Sequence, residues 1–244
     1  MPNIEIKCDV LPPPYRDGFE QLAQALAELA GENLLGLSAF GGWAISDPFF
    51  ANTSARGVAV LKDIDLRMID RLASSGAKFG KKNVSAPLLM TPEYIAASCD
   101  VFPLELLEIQ QSRVVVCGED HFGELKFERR DVRLQCEREF KGELIQLRQG
   151  LLAVAGRHKL LGELCLAVTE RTLRVLRGLI YLADPATVAK TAADVIAQAA
   201  GQTDITLGSL ERITARGSEI GLADFERLYG EIKELASYAD RLED

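Results

Sequence analysis

The chain has 244 residues, 48% hydrophobic and 26% charged, enough apolar material for one large packed domain or two ordinary ones. Its 36 acidic against 28 basic side chains leave a formal charge of -8, which points away from a general nucleic-acid binder, whose phosphate contacts need a basic face. Cys8, Cys99, Cys117, Cys136 and Cys165 are scattered without a C-x-x-C pair, and only His121 and His158 could add imidazoles, so reduced, packed thiols are expected rather than a zinc site or disulfide framework.

Pro12-Pro13-Pro14 predicts an extended lead-in, because proline is excluded from helix interiors. From Asp17 to Ala30, Phe19, Leu22, Leu26 and Leu29 recur on one helical face, and Gly31 is a natural stop. Leu34 to Phe40 predicts a buried strand closed by Gly41-Gly42. Residues 45–53, with Asp47, Pro48 and Asn52, read as a loop, and Val58 to Leu61 as a second strand. Asp63 and Asp65 then open a helix carrying Leu66, Ile69 and Leu72, which stops near Gly76. After the basic segment Lys78 to Lys82, Pro87 to Met90 predicts a strand, Pro92 to Ser98 a short helix, and Leu104 to Val116 a long strand closed by Gly118-Glu119-Asp120.

The periodicity changes at Asp131. Phe140, Leu144, Leu147, Leu151 and Val154 share one helical face, as do Leu161, Leu164, Val168, Val175 and Leu179 in the next segment. Asp184-Pro185 predicts the start of a further helix ending at Gly201, and Ile205 to Ile213 and Phe225 to Tyr238 are amphipathic. The expected fold class is α+β: a mixed-sheet domain over 1–128, then an antiparallel bundle of about five helices over 129–244. No run is apolar enough to span a bilayer and Met1 to Glu5 does not open like a secretory leader, so no membrane association and a cytoplasmic location are expected.

The order helix, strand, Gly-Gly, loop, strand, helix resembles the nucleotidyltransferase superfamily that includes DNA polymerase β and the kanamycin nucleotidyltransferases. Ala39-Phe40-Gly41-Gly42-Trp43-Ala44 stands where that family has a strand ending in Gly-Ser. Thr53-Ser54-Ala55-Arg56-Gly57-Val58-Ala59-Val60-Leu61 stands where it has Ser-Asp-x-Asp before an apolar strand. Asp100-Val101-Phe102-Pro103-Leu104-Glu105 and Asp131-Val132-Arg133-Leu134-Gln135-Cys136-Glu137-Arg138-Glu139 add to the resemblance, which covers about the first 150 residues.

The resemblance places the family's metal-binding Asp pair on Ser54 and Arg56, and its phosphate-contacting Ser on Gly42. Hard cations such as Mg²⁺ need carboxylate oxygens, and a guanidinium repels them. No catalytic residue, cofactor or metal is therefore expected, with Glu105 a residual acid in the place of the family's third carboxylate. Glu105 and Glu108, three apart on a strand, would point to opposite faces. Gly41, Gly42, Trp43 and Arg56 remain as candidates for binding a nucleotide or other phosphate ligand through backbone amides, the guanidinium and an aromatic face; for Trp43 the plainer reading is packing. Asp63-Ile64-Asp65 has the Asp-x-Asp spacing but sits where a helix begins, a capping position.

Three functions stay open on this reading. One is an inactive nucleotidyltransferase-fold module that binds a nucleotide, an anion or a protein partner. Another is an active enzyme, using Mg²⁺ and a nucleoside triphosphate with Asp47, Asp63, Asp65 and Glu105, that transfers a nucleoside monophosphate to a small molecule or protein. The third is a ligand-free scaffold that forms a homodimer through its helical bundle.

Overall fold

The computed structural model describes residues 5–51, 53–74, 76–157, 160–215 and 220–243, with the backbone alone at Ala77 and Lys78. Contacts divide the chain into two units, Met1–Cys99 with Glu108–Lys126, and Asp100–Leu107 with Phe127–Asp244.

In the first unit the leading helix α1 spans Pro13–Ala30. Its start corrects the extended lead-in expected for the prolines: Pro13 and Pro14 fill the first turn, where a missing N–H costs nothing. β1 (Leu34–Phe40) and β2 (Arg56–Leu61) follow, then α2 (Leu66–Ala73), α3 (Gly76–Gly80), β3 (Leu88–Met90) and α4 (Pro92–Ala97). The sheet closes with β4 (Val114–Gly118) in the order β3-β2-β1-β4. β1 is antiparallel to both β2 and β4, while β2 and β3 run parallel. Phe19, Leu22 and Leu26 of α1 share a core with Leu37 and Ala39 of β1 and with Ala59 and Leu61 of β2. The alternate residues of these strands that face α1 are thus apolar.

The long strand expected over Leu104 to Val116 is the main correction. Pro103–Ser112 forms helix α5, and only Val114–Gly118 is strand. Leu104, Leu106, Leu107 and Ile109 are all buried, so the apolar run is dense enough to hide helical periodicity. The overlooked signal is Pro103, which suits the first position of a helix. The division into units passes through α5, with Leu107 in the second unit and Glu108 in the first.

The second unit is helical: α6 (Arg129–Ala153), α7 (Leu161–Ala183), α8 (Ala192–Thr203), α9 (Gly208–Thr214) and α10 (Leu222–Asp240). Val132, Cys136, Phe140, Leu144 and Leu147 of α6 and Leu161, Val168, Val175 and Leu179 of α7 are buried, whereas Leu151 and Leu164, expected on the same faces, are exposed and half-buried. Asp184 does not open a helix. It closes α7 and accepts from Ala186 N–H at 3.0 Å and Thr187 Oγ1 at 2.7 Å, an Asp-Pro turn. α8 begins instead behind Thr191, which forms a capping box with Asp194. No helix of the described residues is long and apolar enough to cross a membrane.

Candidate functional site

β1 delivers the chain to Gly41, whose φ of 98° is a conformation that side-chain-bearing residues rarely adopt. The Gly41 N–H donates to Ser112 Oγ at 2.8 Å, and that hydroxyl donates to the Glu108 carbonyl at 2.6 Å. Gly42–Ile45 is a short 3₁₀ turn. Two side chains lie directly on the glycines. A Cβ on Gly42 would fall 2.0 Å from the Phe50 ring, and one on Gly41 would fall 2.8 Å from Arg56 Nη2.

Arg56 reaches this place because it opens β2 opposite Phe40. Its guanidinium lies 4.8 Å from the centre of the Phe40 ring, and its Nη2 is 2.5 Å from Glu108 Oε1. The Glu108 side chain is 13% exposed against 38% for Arg56, so the carboxylate is the more deeply placed partner. A permanent cation therefore lies against the glycine turn, ion-paired to the acid that reaches it.

The other candidates lie elsewhere. Ser54 precedes β2, is exposed, and donates to Asn83 Oδ1 at 2.9 Å. Trp43 is 2% exposed, with ring centres 4.7 Å from Tyr15 and 5.4 Å from Phe19, and so packs in the core under the turn. Asp47 is buried and accepts from Phe49 N–H at 2.9 Å, capping the Pro48–Phe50 turn. Asp63 is exposed, its backbone N–H 2.9 Å from Asn33 Oδ1, and Asp65 caps α2 through Arg67 N–H at 2.9 Å. Glu105 belongs to the second unit, where it accepts from Gln135 Nε2 at 2.7 Å and Arg174 Nη1 at 3.3 Å.

Glu105 and Glu108 thus lie one helical turn apart, not on opposite faces of a strand, and Glu108 is the acid that meets Arg56. Sequence reading weighed Glu108 but preferred Glu105, and it missed Ser112 at the turn. The i, i+4 spacing of Glu108 and Ser112 on a helix that starts at Pro103 was the available signal. Among the described residues no group of three His, Cys, Asp or Glu is placed to hold a metal ion. Lys82 pairs with Asp17 at 3.5 Å, whereas His158 and the Lys78 side chain lie outside the described residues.

The mixed sheet with β1 at its centre, the glycine turn after that strand and the helical second unit define a nucleotidyltransferase-type α+β fold. Among solved structures the chain is similar to the spectinomycin adenyltransferase AAD(9) from Enterococcus faecialis, solved with ATP and spectinomycin. The TM-score is 0.56 at 11% sequence identity, over 92% of this chain and 99% of that one, a likeness of fold. No protein-family model matches the sequence, and no curated protein is significantly similar to it.

Proposed function

We propose that this chain is a nucleotidyltransferase-fold protein that lacks metal-dependent nucleotidyl transfer and works as an interaction module. The observation that carries this reading is the Arg56–Glu108 ion pair at 2.5 Å beside Gly41. Nucleotidyl transfer needs two divalent cations between carboxylates, to activate the attacking oxygen and stabilise the leaving pyrophosphate. The residues here do not fit such ions. Arg56 supplies a fixed positive charge that repels them, and Glu108 already has a cation as its partner. Phe50 and Arg56 lie on the glycine backbone that a phosphate would approach. The reading as an interaction module also draws on the apolar side chains at the end of α6: Ile145 and Leu152 are 54% and 81% exposed.

The test is transfer of label from nucleoside triphosphates, with Mg²⁺ or Mn²⁺, to aminoglycosides, nucleic acid or the protein itself. No transfer is expected. Metal-dependent labelling that disappears in Glu108→Gln would restore the enzyme reading. Saturable ATP binding that disappears in Arg56→Ala would replace the interaction module by a nucleotide-binding one.

A further inference from the structure

Helix α6 packs one face into the helical unit and presents the other to solvent. The charges on the two faces are sorted. The exposed charged residues of α6 are Arg129, Arg130, Arg138, Lys141 and Arg148, all basic. Its acids, Asp131, Glu137, Glu139 and Glu143, are half-buried or buried. Glu143 lies deepest, where it accepts from Thr172 Oγ1 of α7 at 2.9 Å, beside Arg171 in the chain. In a chain with 36 acidic against 28 basic side chains, a helix face that carries only cations reverses the overall charge locally.

Exposed apolar residues run through the same face. Leu134, Ile145 and Leu152 are eleven and seven residues apart, close to three and two whole turns, so they fall on one line down the helix. Arg138 and Lys141 stand between the first two, and Arg148 between the last two. Arg148 donates to Tyr229 Oη at 2.8 Å and Lys141 pairs with Asp240 at 2.9 Å, both on α10. Arg130 and Arg138 have no hydrogen bond or ion pair among the described residues.

We infer that the exposed face of α6 docks an acidic amphipathic helix of a protein partner. The partner's apolar side chains lie on Leu134, Ile145 and Leu152, and its carboxylates meet Arg130 and Arg138. The cations set the sign of the partner, and the line from Leu134 to Leu152, about 27 Å long, sets its length at about 18 residues. Other occupants match the face less well. A nucleic-acid backbone would meet the cations and leave three apolar side chains in water. A lipid surface would have to seat Arg138 and Lys141 at the depth of the apolar residues that flank them. A second copy would bring the same basic face, cation against cation. This docking deepens the reading of the chain as an interaction module, on which it rests.

A fluorescent synthetic helix of about 18 residues, with leucines at alternating three- and four-residue spacing and glutamates beside them, provides the probe for anisotropy measurements on the full chain. Saturable binding that weakens with added salt is expected. The same helix with lysine in place of glutamate should bind at least about tenfold more weakly. Ile145→Asp and Arg138→Glu, both at exposed positions, should each weaken binding by about tenfold. Leu66→Asp, at an exposed apolar position on α2, should leave it unchanged. The proposal falls if the acidic helix does not bind, if the lysine helix binds as well, or if Ile145→Asp has no effect. It falls equally if light scattering finds a dimer that Ile145→Asp splits, or if phosphatidylserine vesicles or duplex DNA displace the helix from this face. Failure here with label transfer still absent leaves the interaction-module reading to another surface. Metal-dependent label transfer would overturn that reading and leave the measured helix binding in place.

Discussion

Arg56 in the sheet unit and Arg171 in the helical unit are both arginines beside a glutamate, and their surroundings are opposite. Arg56 is partly exposed and touches Glu108 at 2.5 Å, with the Phe40 ring beneath it and Gly41 alongside. Among the described residues, Nε and Nη2 of Arg171 are buried without a partner, and the nearby Glu143 accepts from Thr172 Oγ1 at 2.9 Å. The difference teaches that adjacency in charge is not pairing. A glutamate that accepts from arginine closes a site with the chain's own atoms. A buried glutamate whose carboxyl burial pushes up does not pair with the arginine beside it.

The largest expected effect tests the protonation of Glu143. Its carboxyl is raised from 4.5 to about 8 by burial, so the unfolded chain gives up the proton before the folded one does. The stabilising contribution is therefore complete below about 4.5, falls as pH rises toward about 8, and is fully lost above that. The slope for one such group is about 1.4 kcal/mol per pH unit at most. Denaturant midpoints measured across this window should decline in the parent and flatten in Glu143→Gln. Parallel profiles would show that Glu143 is ionised in the folded protein, and would erase the contrast with Glu108.

A smaller effect tests how tightly the glycine turn is covered. Gly42→Ala places a methyl group 2.0 Å from the Phe50 ring and should cost about 1–3 kcal/mol, the usual range for overpacking. Phe50→Ala in the same chain should relieve part of that loss, so the two changes should couple in a double-mutant cycle of unfolding free energies. Simple additivity would mean that Phe50 does not seal the turn.

The smallest effect concerns the ion pair itself. Because the Arg56 side chain is 38% exposed, Arg56→Ala should cost only about 1 kcal/mol, measured by urea unfolding. Arg56→Asp is more informative. It sets a second carboxylate beside Glu108, and like charges at close range disfavour joint ionisation. Millimolar Mn²⁺ should then raise Tm in this variant and leave the parent unchanged, because only the variant offers two acids to one cation. Equal metal shifts in both proteins would show that the cation binds elsewhere.

Much of the framework was legible in the residues. The apolar run Leu34–Phe40 is β1, Gly41-Gly42 is a turn, and the spacing of Phe19, Leu22 and Leu26 marks the buried face of α1. The helical character after Asp131 was equally plain, because α6 buries one face over many turns and α7 opens the same way before its second half becomes buried nearly all round. The errors came where one local signal has two meanings. Leu104 to Ile109 is apolar enough for a strand or a buried helix, and Asp184-Pro185 serves a turn as well as a helix start.

By itself the sequence determined most of the elements and buried faces, though not helix α5 or the start of α8, and the arginine standing where the resemblance calls for an aspartate. These follow from residue type and period, which act locally. Tertiary structure alone decided which acid meets that arginine. Once Pro103–Ser112 coils as a helix, Glu105 turns to Gln135 and Arg174 while Glu108, one turn on, reaches Arg56. Tertiary structure also decided that Glu143 is buried against Thr172, while Nε and Nη2 of Arg171 are buried without a partner among the described residues. Pairing between residues 29 to 69 positions apart depends on which elements face each other, and no local period records that choice.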